Sequence, residues 1–130
     1  MVALVFAYYF TQKNIDNRKI KEIIEDIIIK IQIEISNDSS YIFEKDFDKK
    51  VIMLKLRNLN NKIDILESAK KELKISEEVN YIHKEFDEYR ESIGENLEDI
   101  NFLITNQKEF MKKLQNIDNK CDELKMRLYK

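Results

Sequence analysis

The single histidine of the chain, His83, is followed one helical turn later by Asp87. Side chains at positions i and i+4 lie on the same face of a helix, so this pair has the spacing of two metal ligands. Four-helix di-iron proteins add a glutamate three residues before such a histidine, but position 80 is an asparagine. We therefore predict an ordinary surface pair, and we expect neither a metal nor another cofactor.

The remaining reactive groups do not form a recognisable catalytic set. Cys121 falls in register with the apolar positions of the last predicted helix, where cysteine behaves as a small hydrophobic residue. Acidic residues are plentiful between 77 and 99, but most alternate with apolar positions and should face water, whereas acid–base catalysis requires desolvated carboxyls. The single glycine, Gly94, excludes a glycine-rich phosphate-binding loop. We predict that the chain is not an enzyme.

The composition indicates an all-α fold in one domain. The 130 residues include no proline and one glycine, so the strongest breakers of regular structure are nearly absent. Charged residues make up 37% of the chain and are mixed finely with isoleucine and leucine, which is typical of solvated helices. We expect long, uninterrupted helices.

The first predicted helix carries two apolar strips. Its main stripe follows three- and four-residue steps, as expected for a core-facing helix, and consists of Ile20, Ile23, Ile24, Ile27, Ile28, Ile31 and Ile35. Isoleucines also alternate from 27 to 35, a pattern typical of a strand, but the helical period is established before this segment begins. As a helix, it carries Ile29 and Ile33 on a second strip, which predicts a partner or oligomer contact.

The polar cluster Ser-Asn-Asp-Ser-Ser at 36–40 predicts the first connection, because short polar side chains compete with helical hydrogen bonds. A second helix is then expected over 41–74, with Ser76 as the N-cap of a third helix that passes Gly94 and reaches 104. Asn106, with Glu109 three residues later, predicts a capping box that starts a fourth helix over 107–129.

These elements predict an antiparallel bundle of four long helices, over about 2–35, 41–74, 77–104 and 107–129. The alternative is three helices, of which the last runs unbroken from 77 to 129. Net charge is +4 over 45–74, −7 over 77–99 and +3 over 107–130. We expect the acidic third helix to lie against both basic ones; if it instead faces solvent, Glu88 and Glu91 become candidates for docking a basic partner.

The first twelve residues are predicted to be either a membrane-proximal segment or a buried helix start, followed by the bundle domain over 13–130. Aliphatic residues come first, aromatic residues next and positive charges last, in the order typical of a helix leaving a bilayer on the cytoplasmic side. Ten residues span only about 15 Å as a helix, so the segment either continues a span that begins upstream or dips into the membrane. The anchor residues are Val2, Leu4, Val5, Phe6, Tyr8, Tyr9 and Phe10, and the orienting charges are Lys13, Arg18, Lys19 and Lys21.

The sequence thus supports two hypotheses about function. In the first, the chain is a non-enzymatic interaction module held at the cytoplasmic face of a bacterial membrane, with its bundle as a docking or oligomerisation surface. In the second, it is a soluble cytoplasmic adaptor, such as an antitoxin-like, immunity-like or phage accessory protein, that binds a protein partner or itself. The basic cluster Lys49, Lys50, Lys55 and Arg57 has the charge to contact acidic lipid headgroups, although a solvated face explains it as well. Nucleic-acid binding is not expected, because the basic and acidic segments compensate each other.

Overall fold

The computed structural model describes residues 17–41 and 48–129. This part of the chain is all-helical and contains five α-helices and no β-strand. The helices are α1 (Asn17–Tyr41), α2 (Lys49–Ala69), α3 (Ser76–Glu95), α4 (Ile100–Thr105) and α5 (Gln107–Leu128). The predicted all-α class is confirmed; the segment 1–12 and the boundary after it lie outside the described residues.

Helix α1 does not form a strand, and it buries five of the seven isoleucines of the predicted stripe, whereas Ile23 and Ile27 are only partly buried. Ile24, Ile28 and Ile31 are fully buried, and Ile20 and Ile35 nearly so. The helix continues to Tyr41, so the predicted connection at 36–40 is wrong. Ser36 and Asn37 are exposed in this last stretch, and short polar side chains that face solvent compete only weakly with helical hydrogen bonds.

Helix α2 begins at Lys49, not at residue 41 as predicted. Asp48 has an extended backbone and acts as the N-cap, because its carboxylate accepts a hydrogen bond from the Lys50 amide at 2.8 Å. The helix ends at Ala69, five residues before its predicted end. Lys74, which was expected to be helical, has a φ of 59° and turns the chain towards α3.

Helix α3 begins at Ser76, but the predicted N-cap role of that residue is wrong. Ile75 occupies the capping position and is fully buried, and no side-chain cap bond forms. The helix also ends at Glu95 instead of 104. Asn96 stops it by donating its side-chain amide to the carbonyl of Ser92 at 2.7 Å, and Asp99 then caps the short α4 through the amide of Phe102 at 3.0 Å.

The boundary predicted at residue 106 is present, so the alternative of one helix from 77 to 129 is wrong. Its predicted capping box does not form, because Asn106 directs its side-chain amide back to the carbonyl of Phe102, at 2.9 Å. Helix α5 covers 107–128, close to the predicted 107–129.

One hydrophobic core joins these helices. Helix α1 packs on α2 and α5, α3 packs on α2 and α5, and α4 packs on α5. The apolar positions of α5 that repeat at helical spacing are all buried, namely Phe110, Leu114, Ile117, Cys121, Leu124 and Leu128. The ring of Phe110 meets Tyr89 of α3 edge-on, at 6.2 Å between centroids. The third helix was predicted to reach 104, but its regularly spaced apolar residues are buried only as far as Ile93, and Ile100 and Ile104 of α4 are exposed.

Candidate functional site

His83 lies between two carboxylates on the surface where α2 meets α3. Its Nδ1 is 2.7 Å from Glu67 Oε1 of α2, and its Nε2 is 3.3 Å from Asp87 Oδ2, the residue predicted from the sequence. Glu67 also accepts from Lys70, with 2.6 Å between the charged atoms. Partial burial opposes the ionisation of Glu67, but the hydrogen bonds from Lys70 and His83 outweigh it and lower the pKa of this carboxyl.

The same surface continues through Arg90. This guanidinium donates to Asp87 at 3.0 Å and to Asn60 of α2 at 3.1 Å, and it stacks over the ring of Phe86. Throughout 17–41 and 48–129, no three potential ligands are arranged to hold a metal ion. The contacts of Glu67 with His83 and of Asn60 with Arg90 join α2 to α3. The sequence did not reveal Glu67, which lies sixteen residues before His83 on another helix.

Cys121 is buried in the core on the inward face of α5. Burial, together with the negative charges of Asp118 and Asp122, raises the pKa of its thiol to about 12. A thiol with this pKa stays protonated at neutral pH, and only the thiolate is a good nucleophile. The environment of Cys121 therefore fits a packing role.

Helix α3 packs on both α2 and α5, as predicted from the charges, and its acidic residues pair with basic residues of α5. Lys113 of α5 forms an ion pair with Glu88 and lies 3.3 Å from Glu85. The hydrogen bond between Glu88 and Lys113 lowers the pKa of the carboxyl and raises that of the amine. Just after α3, Glu98 pairs with Lys49 of α2.

Glu88 and Glu91, the two candidate docking residues, have different surroundings. Glu88 is engaged by Lys113, whereas Glu91 is exposed and makes no ion pair within the described ranges. The two residues are three positions apart on one helix, and only one of them contributes to the contact with α5. They therefore do not form one open acidic face.

The second isoleucine strip of α1 is exposed. Ile29 retains 39% and Ile33 55% of their accessible surface. Because the two residues are four positions apart, they lie one above the other, on the side of α1 opposite the buried stripe. Charged side chains flank them, among them Asp26 and Lys30, which pair with each other at 2.9 Å. The result is a small apolar surface, which we call the α1 strip.

The predicted membrane elements fall mainly before α1. The predicted anchor residues Val2, Leu4, Val5, Phe6, Tyr8, Tyr9 and Phe10 and the first orienting charge, Lys13, lie outside the described residues. Arg18, Lys19 and Lys21 occupy the first turns of α1, where Arg18 lies 4.0 Å from Glu22 and Lys19 is exposed. None of the described helices has the length and apolar content needed to cross a bilayer.

Comparison with protein-family models, with curated proteins and with solved structures found no match for this chain.

Proposed function

We propose that this chain is a non-enzymatic interaction module, built on an antiparallel bundle of four long helices and tethered to the cytoplasmic face of a bacterial membrane by residues 1–12. The observation that carries the interaction role is the exposure of Ile29 and Ile33 on the outer side of α1. The tether is supported by the order of aliphatic, aromatic and basic residues in 1–21.

The bundle arrangement is supported by the order of side-chain contacts between neighbouring helices. Where a residue early in one helix contacts a residue late in its neighbour, the two helices run in opposite directions. Such opposed pairs are Glu78–Arg127 with Glu88–Lys113 between α3 and α5, and Asn60–Arg90 with Glu67–His83 between α2 and α3. Gln32–Asp122 with Glu25–Tyr129 gives the same order between α1 and α5. Short connections and charge pairing favour this topology.

The α1 strip supports partner binding because its isoleucines add nothing evident to the fold. β-branched residues are weaker helix formers than alanine, and these two lie on the side away from the core. Two apolar side chains one turn apart, framed by charges, are typical of the anchors with which an amphipathic helix docks on another helix. The charged residues beside the two isoleucines would keep the protein soluble while no partner is bound.

Fractionation of cells that express the native gene tests the tether. We expect the protein to sediment with membranes and to resist a high-salt wash, because the attachment is mainly apolar. The double variant Val5→Asp/Phe6→Asp should move to the supernatant. As a matched control, Ile100→Asp/Ile104→Asp places two acidic residues at exposed apolar positions of α4 and should stay with the membrane. Recovery of the unmodified protein wholly in the soluble fraction would contradict the proposal.

A second candidate function is the soluble adaptor, which binds one protein partner or a second copy of itself. The exposed α1 strip favours this function as well, since it does not require a membrane. Here residues 1–12 would pack in the bundle or across a dimer, so their removal should destabilise the fold or dissociate the assembly. If residues 1–12 are instead a tether, their removal should leave the stability of the bundle and its assembly state unchanged.

A further inference from the structure

The N-terminal half of α2 presents a basic surface with an apolar centre. Residues 49–57 carry four Lys and Arg and no acidic residue. On the outer side of this segment, Met53 retains 49% and Leu54 52% of their accessible surface, with Lys50 before them and Arg57 after them. We call these four residues the α2 patch.

The charges of the α2 patch are available for an external partner. Lys49, the neighbour of the patch, is already paired with Glu98, and Lys55 is partly buried and also engaged. The side chains of Lys50 and Arg57, by contrast, are exposed and make no ion pair with any described residue. Within 17–41 and 48–129, the patch therefore presents two positive charges without an ion-pair partner beside two exposed apolar side chains.

From this combination we infer that the α2 patch is a second membrane contact, which binds the surface of a bilayer containing anionic lipids. Lys and Arg attract anionic headgroups, while Met53 and Leu54 can enter the boundary between headgroups and acyl chains. Among the described residues, none of the side chains that line this open surface is aromatic, so a nucleotide base finds no ring to stack on, which favours lipid over single-stranded nucleic acid.

This inference rests on the proposed function for the position of the chain beside the cytoplasmic leaflet, which is rich in anionic lipid. Residues 1–12 precede the first turn of α1, whereas the α2 patch follows the end of α1, a helix of 25 residues or about 37 Å. Two contacts separated in this way would lay the bundle along the membrane surface. The α1 strip, on a different helix, would stay available for a protein partner.

The test places a reporter in the patch of the full chain. In the variant Met53→Cys, a polarity-sensitive dye can be attached selectively at pH 7, because Cys121 is buried and its thiol is protonated. The probes are vesicles of phosphatidylcholine alone and of phosphatidylcholine with phosphatidylserine. We expect the dye emission to shift to the blue and to rise with the anionic vesicles only. A dye at Met111→Cys, on α5, should not respond.

Removing the two free charges should weaken the contact strongly. Each basic residue near an anionic surface strengthens binding about fivefold, so Lys50→Gln/Arg57→Gln should raise the anionic-lipid concentration at half-maximal response by about thirtyfold. Lys71→Gln/Lys108→Gln, which removes two exposed charges elsewhere, should leave it unchanged.

The outcomes separate this inference from the proposed tether. If the chain sediments with both kinds of vesicle but the dye at residue 53 responds to neither, the α2 patch is not a membrane contact and the tether stands. If the chain fails to sediment with neutral vesicles while the dye responds to anionic ones, the patch is supported and the tether fails. An equal response to duplex DNA, a polyanion without acyl chains, would overturn the assignment to lipid.

Discussion

Two isoleucines of α1 should lose very different amounts of stability in the same substitution. Ile24 is fully buried, so Ile24→Ala removes three buried carbon groups, worth about 2.4 kcal/mol in transfer free energy at about 0.8 kcal/mol each, and leaves a cavity. We expect a loss of about 3 to 4 kcal/mol in the free energy of unfolding. Ile33 is 55% exposed, so Ile33→Ala loses about 1 kcal/mol of transfer free energy at most and regains part of it from the higher helix propensity of alanine.

Urea denaturation followed by circular dichroism at 222 nm measures both variants under identical conditions. The net cost of Ile33→Ala should stay below about 0.5 kcal/mol, within the range of ordinary surface substitutions. The measurement should be made at low protein concentration, where self-association does not contribute to stability. If Ile33→Ala cost as much as Ile24→Ala under these conditions, Ile33 would be a core residue and the α1 strip would not be a free surface.

Four further predictions concern single side chains. Gly94→Ala should stabilise the protein by about 0.5 to 1 kcal/mol in thermal unfolding, because a Cβ at this helical position meets open space. Cys121 should not react with a disulfide reagent at pH 8 until urea unfolds the chain, because burial raises its pKa to about 12. Since the folded-state pKa of Glu67 is lowered, its ionised form stabilises the fold above the ordinary pKa of 4.5, and this contribution is lost as the pH falls through the folded-state pKa. The variant Glu67→Gln should therefore be less stable than the unmodified protein at pH 7, and the difference should shrink towards pH 3. Finally, Glu88→Lys should lower the melting temperature more than Glu91→Lys, and high salt should reduce the gap, because only Glu88 has an ion-pair partner on α5.

The core of the fold could be predicted from the sequence because its periodicity is nearly unbroken. The inward residues of α5, from Phe110 to Leu128, repeat at three- and four-residue steps, and all of them are buried. The isoleucine stripe of α1 behaves similarly, with five of its seven members buried. Periodicity reports which side of a helix is apolar, and burial of that side provides most of the stability of a helix in a protein.

Helix ends were predicted less well because they depend on single hydrogen bonds and on neighbouring chain segments. The sequence offers Ser76 and Asn106 as caps, yet Ser76 is already helical and Asn106 bonds backwards to Phe102. Asp48 and Asn96, which set the start of α2 and the end of α3, carry the same kinds of side chain as many residues that set no boundary. Local propensity alone does not separate these cases.

Contacts between residues of different helices could not be predicted from a single sequence either. The i,i+4 partner of His83 was visible as Asp87, but Glu67 meets it only because α2 packs on α3. The helical spacing of apolar residues in the second helix would also admit Leu54 to its core-facing side, but Leu54 is exposed beside Met53. The apolar residues of 47–66 fall on two different faces of a helix. Only the packed fold shows that the face with Ile52 and Leu56 is the one that contacts the core.

The central claim is that residues 1–12 are a tether outside the bundle. Its most direct test compares the melting temperature of the chain that lacks these residues with that of the full chain, in the same detergent-containing buffer. If the segment is a tether outside the bundle, both proteins should melt within about 2 °C of each other, a difference of less than about 1 kcal/mol. A fall of roughly 10 °C or more, or dissociation of an assembly into monomers, would show that residues 1–12 belong to the core or to an interface, and would contradict the account.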